Sequence, residues 1–206
     1  MIQCTFTDVD KQEVYLSTEP VSLAEAKAHL RVDFSDDDSL LSAMITSCRQ
    51  AIEDYCHISL VTKTITLTLK AQEQLRSMFA QPYQVREQFN EFELPYGPIQ
   101  VDPIVTSINS DGFTVTALTL NTDFFLTGVR FKSIKISNNF DNNMLVYTAG
   151  YTAIPGPLKL AILNELAYRY EARGDAQNIR ATAFTEQGVC VSARILADPY
   201  KRLAWI

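Results

Sequence analysis

Nothing in the 206 residues approaches the ~18 consecutive apolar positions a bilayer-crossing helix needs. The opening stretch, MIQCTFTDVDKQEV, is too acidic and polar for a signal peptide, so a soluble, unexported chain is expected. Histidine is scarce: His29 and His57 are the only two, and they form no HExxH pair. The four cysteines, Cys4, Cys48, Cys56 and Cys190, stand far apart and lack the paired spacing of a zinc knuckle. Reduced thiols are expected, with Cys48 a small buried hydrophobe on a helix stripe. GxGxxG, GxxxxGK[ST] and GxSxG are all missing, which removes the usual phosphate cradles and the nucleophile elbow. Repeats and low-complexity tracts are absent too. No catalytic residue, no metal ligand and no cofactor emerges, and no enzymatic activity is expected.

Positive charge is also thin. Lys and Arg number 18 against 24 Asp and Glu, a net charge of -6. Residues 1–57 hold 4 basic and 11 acidic side chains, residues 58–156 hold 7 and 8, and residues 157–206 hold 7 and 5. No basic cluster offers a grip on phosphates. The asymmetry instead lets the acidic start of one copy attract the basic end of another.

What is present reads as helix, then strands, then helix. Ser22 and Glu25 form a capping box ahead of Leu23, Ala26 and Leu30, which predicts a short helix over 23–31. Leu41, Met44, Ile45, Cys48, Ile52 and Tyr55 recur at helical steps, with Ser42, Thr46, Arg49, Gln50 and Glu53 opposite. Asp36, Asp37 and Asp38 stand at the start of that helix, where carboxylates suit free N–H groups and the dipole better than a calcium loop.

From Leu60 the period becomes two: Val61, Ile65, Leu67 and Leu69 face one way and Thr62, Thr64, Thr66 and Thr68 the other. After the polar stretch 71–90, strand signals continue to Gly150 with turns at Asp111-Gly112, Thr127-Gly128 and NNFDNN. Strands joined by short turns imply an antiparallel meander or small sandwich. Pro157 then opens a helix to about Gly174 that is apolar on nearly every side: Leu158, Leu160, Ala161, Ile162, Leu163, Leu166, Ala167, Tyr168 and Tyr170, with Lys159, Glu165 and Arg169 among them. The fold expected is α+β: a small helical bundle with an inserted antiparallel β domain. Its parts are residues 1–57 with the first bundle helices, the β insertion 58–156, and 157–206 with the long helix and a C-terminal arm.

The order PVSLAEAKAHLRVD, DDDSLLSAMITSCRQAIEDYC, LPYGPIQ and VYTAGYTAIPGPLKLAILNELAYRYEAR resembles the head-tail connector (adaptor, head-completion) proteins of tailed bacteriophages, in the variety with a β-rich insertion. The likeness covers about residues 20–55 and 94–173. It implies a structural virion-neck protein made in the host bacterial cytoplasm. Its copies would form a ring, commonly of twelve, below the portal, extending the DNA channel and docking a stopper or tail protein, with no sequence-specific hold on the DNA and no membrane. Portal contact then falls to Arg194, Tyr200, Lys201, Arg202, Leu203, Trp205 and Ile206. Contact between protomers falls to Lys159, Leu160, Tyr168, Tyr170, Asp36 and Asp37, and a tail-side or lumen loop to Asn138, Asn139, Asp141, Asn142 and Asn143. The alternatives are another neck component such as a stopper and, from a different class, a small-ligand enzyme using the β insertion as its pocket.

Overall fold

The computed structural model describes residues 9–15, 18–70, 90–108, 115–129, 131–136, 142–172 and 188–202. The chain divides into two compact units, one of Met1–Leu16 with Lys63–Ala149 and one of Ser17–Thr62 with Gly150–Ile206.

The second unit is helical. Helix α1 (Leu23–Leu30) begins on the expected capping box and ends at Arg31 in the left-handed region. Ser22 Oγ accepts from the Glu25 N–H at 3.2 Å, and the Glu25 carboxylate accepts from the Ser22 N–H at 3.0 Å. Helix α2 (Asp38–Cys56) buries Leu41, Ile45, Cys48, Ile52, Tyr55 and Cys56, the stripe its periodicity marks out. Each large apolar side chain so buried stabilises by about 1.5–3 kcal/mol. Helix α3 (Gly156–Glu171) packs on both and on a short helix α4 (Val191–Ala197), which runs into a single 3-10 turn, Asp198–Tyr200. Asp198-Pro199 thus ends the regular helix where the missing proline N–H requires it.

The first unit is all β. Its strands are β1 (Val9–Tyr15), β2 (Lys63–Lys70), β3 (Asn90–Glu93), β4 (Ile99–Ile108), β5 (Val115–Ala117), β6 (Phe124–Thr127), β7 (Ser133–Ile136) and β8 (Asn142–Ala149). They form a five-stranded sheet ordered β1-β2-β8-β4-β5 and a three-stranded sheet ordered β3-β7-β6, with every strand pair antiparallel. Ile65, Leu67, Val105, Leu145 and Tyr147 from the first sheet share one core with Phe124, Ile134 and Ile136 from the second. Of the two architectures expected, this is the small sandwich. Pro103 interrupts β4, and the register against β8 slips between Ile99 and Ile104, because proline brings no N–H to the ladder.

Two expectations need correction. Residues 9–15 belong to the β unit and not to the bundle, since Val9 to Tyr15 pair with Leu69 to Lys63. Arg49 and Glu53, assigned from the sequence to the polar side of α2, are buried at 3% and 5% exposure. They tolerate this because they pair with each other and with buried backbone, as described next.

Candidate interaction surfaces

Three ionic contacts, each with at least one buried member, define which side chains remain for a partner. Arg49 donates from Nε to Glu19 Oε2 at 2.8 Å and from NH1 to Glu53 Oε2 at 2.5 Å. Glu53 Oε1 accepts from the N–H of Leu60 at 2.6 Å and of Val61 at 3.4 Å, holding the chain as it leaves α2. Glu165, fully buried on α3, accepts from Arg169 Nε and from the Cys190 N–H, both at 2.7 Å, and so fixes the start of α4. A carboxylate one turn from an arginine and aimed at backbone N–H groups is a bundle fastener. Periodicity missed both acids, since spacing alone does not distinguish an exposed i,i+4 pair from a buried one.

The apolar helix α3 is covered on most sides by its own chain. Leu158, Ala161, Ile162, Leu166 and Tyr170 are buried, whereas Leu160 stays 42% exposed and Leu163, Ala167 and Tyr168 are half-buried. At i, i+3, i+7 and i+8 these four line one stripe. Tyr170 donates its hydroxyl to Asp37 Oδ2 at 2.6 Å within the chain, and Lys159 pairs with Glu25. Of the residues assigned to contact between protomers, Tyr170 and Asp37 are therefore joined to each other internally, while Leu160 and Tyr168 keep surface.

The aspartate run divides in the same way. Asp37 occupies the N-cap of α2 without a side-chain cap bond, and Asp38 pairs with Lys27 at 2.7 Å, so neither side chain caps the helix as expected. Asp33 and Asp36 are exposed, beside Phe34 and Leu40, and make no ion pair among the described residues.

The C-terminal arm is docked on its own unit as far as Arg202. Tyr55 donates to Asp198, Lys201 lies over the Tyr55 ring at 4.1 Å, and the Arg202 N–H reaches Cys56 O at 2.9 Å. Burial, with the bond to Asp198, pushes the Tyr55 hydroxyl up to about 12. Arg194, on α4, stands between Val191 and Ile195, which are 39% and 64% exposed. Leu203, Trp205 and Ile206 lie outside the described residues, as do Asn138, Asn139 and Asp141. Asn142 and Asn143 are not in a loop. They begin β8, and Asn143 is buried opposite Leu69 and Ser107, because the ladder extends to the end of its neighbours.

The thiols follow the apolar environment. Cys48, Cys56 and Cys190 are free and buried, and burial pushes Cys48 and Cys56 up to about 12. Among the described residues no group of three His, Cys, Asp or Glu could hold a metal ion, and no helix is long and apolar enough to cross a membrane.

With helices, sandwich and surfaces in place, the chain can be set beside known proteins. Residues 20–94 match the family of phage gp6-like head-tail connector proteins. No curated protein matches the sequence. Among solved structures, a chain from the neck of an empty gene transfer agent particle, computed with C6 symmetry, is 16% identical with a TM-score of 0.64, covering 95% of this chain and 97% of that one. A chain from the neck of the native particle, computed with C12 symmetry, is 17% identical with a TM-score of 0.64 and the same coverages. A chain from the virion of the native gene transfer agent is 18% identical with a TM-score of 0.62, covering 94% and 97%. At these identities the likeness is one of fold. It extends over both units, and the connector resemblance read from the sequence is met by the family match and by this α+β fold.

Proposed function

We propose that this chain is a structural head-tail connector in the neck of a tailed phage or phage-like particle. Copies form a ring below the portal, continue the DNA channel and give a stopper or tail protein its docking surface. The observation that carries this reading is fold similarity to neck chains over 95% of the sequence, together with the connector family match over residues 20–94. The chemistry agrees. A net charge of -6 lets DNA slide past without adhering. The exposed Leu160 and half-buried Leu163, Ala167 and Tyr168 give α3 apolar area for a second copy, and a ring needs two different faces to meet. Lys201, Arg202 and the following Leu203, Trp205 and Ile206 supply a basic and apolar arm for the portal.

Co-sedimentation with purified portal, followed by electron microscopy of the complex, tests the reading. A ring seated on the portal is expected, and removal of Leu203 to Ile206 should abolish binding while the thermal midpoint stays unchanged. Failure of the full chain to bind portal, with no density for it in the particle neck, refutes the proposal.

A further inference from the structure

We propose that two separate surfaces of the helical unit meet head to tail between copies: Phe34 and Leu40 with Asp33 and Asp36 on one, and Val191 and Ile195 with Arg194 on the other. The inference deepens the ring reading and rests on it, because it names the contact that would join neighbouring copies.

Each surface has an apolar centre and an uncommitted charge. Phe34 is 48% exposed and Leu40 42%, both large side chains left in water at the entry to α2. Their neighbours Asp37 and Asp38 are engaged with Tyr170 and Lys27, which leaves Asp33 and Asp36 as exposed carboxylates without an ion pair among the described residues. On α4 the inner positions Ala193 and Ala197 are buried, so Val191 and Ile195, one turn apart, must face outward. Arg194 lies beside them and makes no ion pair among the described residues, whereas Lys27, Arg49, Lys159 and Arg169 of the same unit all hold carboxylates. The two surfaces therefore complement each other in charge and share apolar character, and neither is self-complementary. That combination selects a heterologous contact, which propagates around a ring, over a two-fold dimer.

The test uses the full chain with Arg194→Glu, with Asp33→Lys plus Asp36→Lys, and an equimolar mixture of the two variants. Asp33 and Asp36 are exposed and Arg194 is half-buried, and circular dichroism checks that both variants fold. Sedimentation velocity should show wild-type self-association below about 1 mM, the weak end of specific affinity. Each variant alone should associate roughly tenfold or more weakly, since reversal sets like charges opposite each other. The mixture should regain wild-type association, because the acidic surface of one variant meets the retained arginine of the other, and the new lysines meet the new glutamate. Variants that associate like wild type, or a mixture that does not recover, overturn the contact. So does a wild-type chain that stays monomeric at about 1 mM. None of these outcomes touches the neck reading, which portal binding tests separately.

Discussion

Replacing Glu53 by alanine should unfold the helical unit at markedly lower denaturant, and the size of the effect can be worked out from its bonds. The carboxylate serves three donors: Arg49 NH1 at 2.5 Å and the N–H groups of Leu60 at 2.6 Å and Val61 at 3.4 Å. Leu60 and Val61 are 0% and 2% exposed, so water cannot replace the acceptor. A buried donor left unsatisfied costs about 1–3 kcal/mol, and the short bond from Leu60 carries more of this than the long one from Val61. Arg49 keeps Glu19 at 2.8 Å, which limits the loss on the charged side to less than the roughly 3–5 kcal/mol of an abandoned buried ion. The net expectation is about 3–5 kcal/mol for Glu53→Ala. Glu53→Gln keeps an oxygen for Leu60 but turns an amide against Arg49, and should lose roughly half as much. Urea unfolding followed at 222 nm measures both. With a slope near 2 kcal/mol/M the alanine midpoint moves down by about 2 M. An alanine variant within about 1 kcal/mol of wild type, or a glutamine variant worse than alanine, would refute the assignment of Glu53 as the fastener of this turn.

Other consequences follow from single sites. Lys159 and the Ser22 capping box hold the Glu25 carboxyl down at about 2, against 4.5 for the free group. Its stabilising contribution is therefore complete above pH 4.5 and disappears as pH falls toward 2. Thermal melts of wild type and Glu25→Gln should accordingly converge at the acid end and diverge above pH 4.5. Cys48 and Cys56, raised from 9.0 to about 12, should resist iodoacetamide at pH 8 in the native chain and react once urea is added, as read by mass spectrometry. The same shifts mean that stability falls as pH rises from 9 toward 12, where the unfolded thiols ionise and the buried ones do not. Gly150 has φ +124° and a side chain there would stand 2.3 Å from Val61 O, so Gly150→Ala should cost more than about 2 kcal/mol in a thermal melt.

The helices were legible because their signals are local. Ser22 with Glu25, the three- and four-residue steps from Leu41 to Tyr55, and Pro157 in a first turn each lie within a few residues of what they determine. The alternation of Val61, Ile65 and Leu67 with threonines marked β2 and its inward face correctly. Strand β1 escaped notice since VDKQEVY carries three charges and few hydrophobes, and its place is set by pairing with Lys63 to Leu69. Sheet order was equally invisible: Ile104 pairs with Val146, and no turn between them announces it. At the candidate surfaces, residue type suggested Asp36, Asp37 and Tyr170 together. Only geometry separates Asp37, held by the Tyr170 hydroxyl, from Asp36, which remains exposed.

The chain passes between the two units three times, after Leu16, before Lys63 and after Ala149, and at that end of the larger sheet Tyr15 faces Lys63 and Lys63 faces Ala149. Opposed Cα atoms in such pairs are about 5 Å apart, so the three crossings leave the sandwich side by side on neighbouring strands, within roughly 10 Å. Turns at the opposite end of these strands can therefore lengthen or shorten during evolution without moving the three points at which the chain crosses.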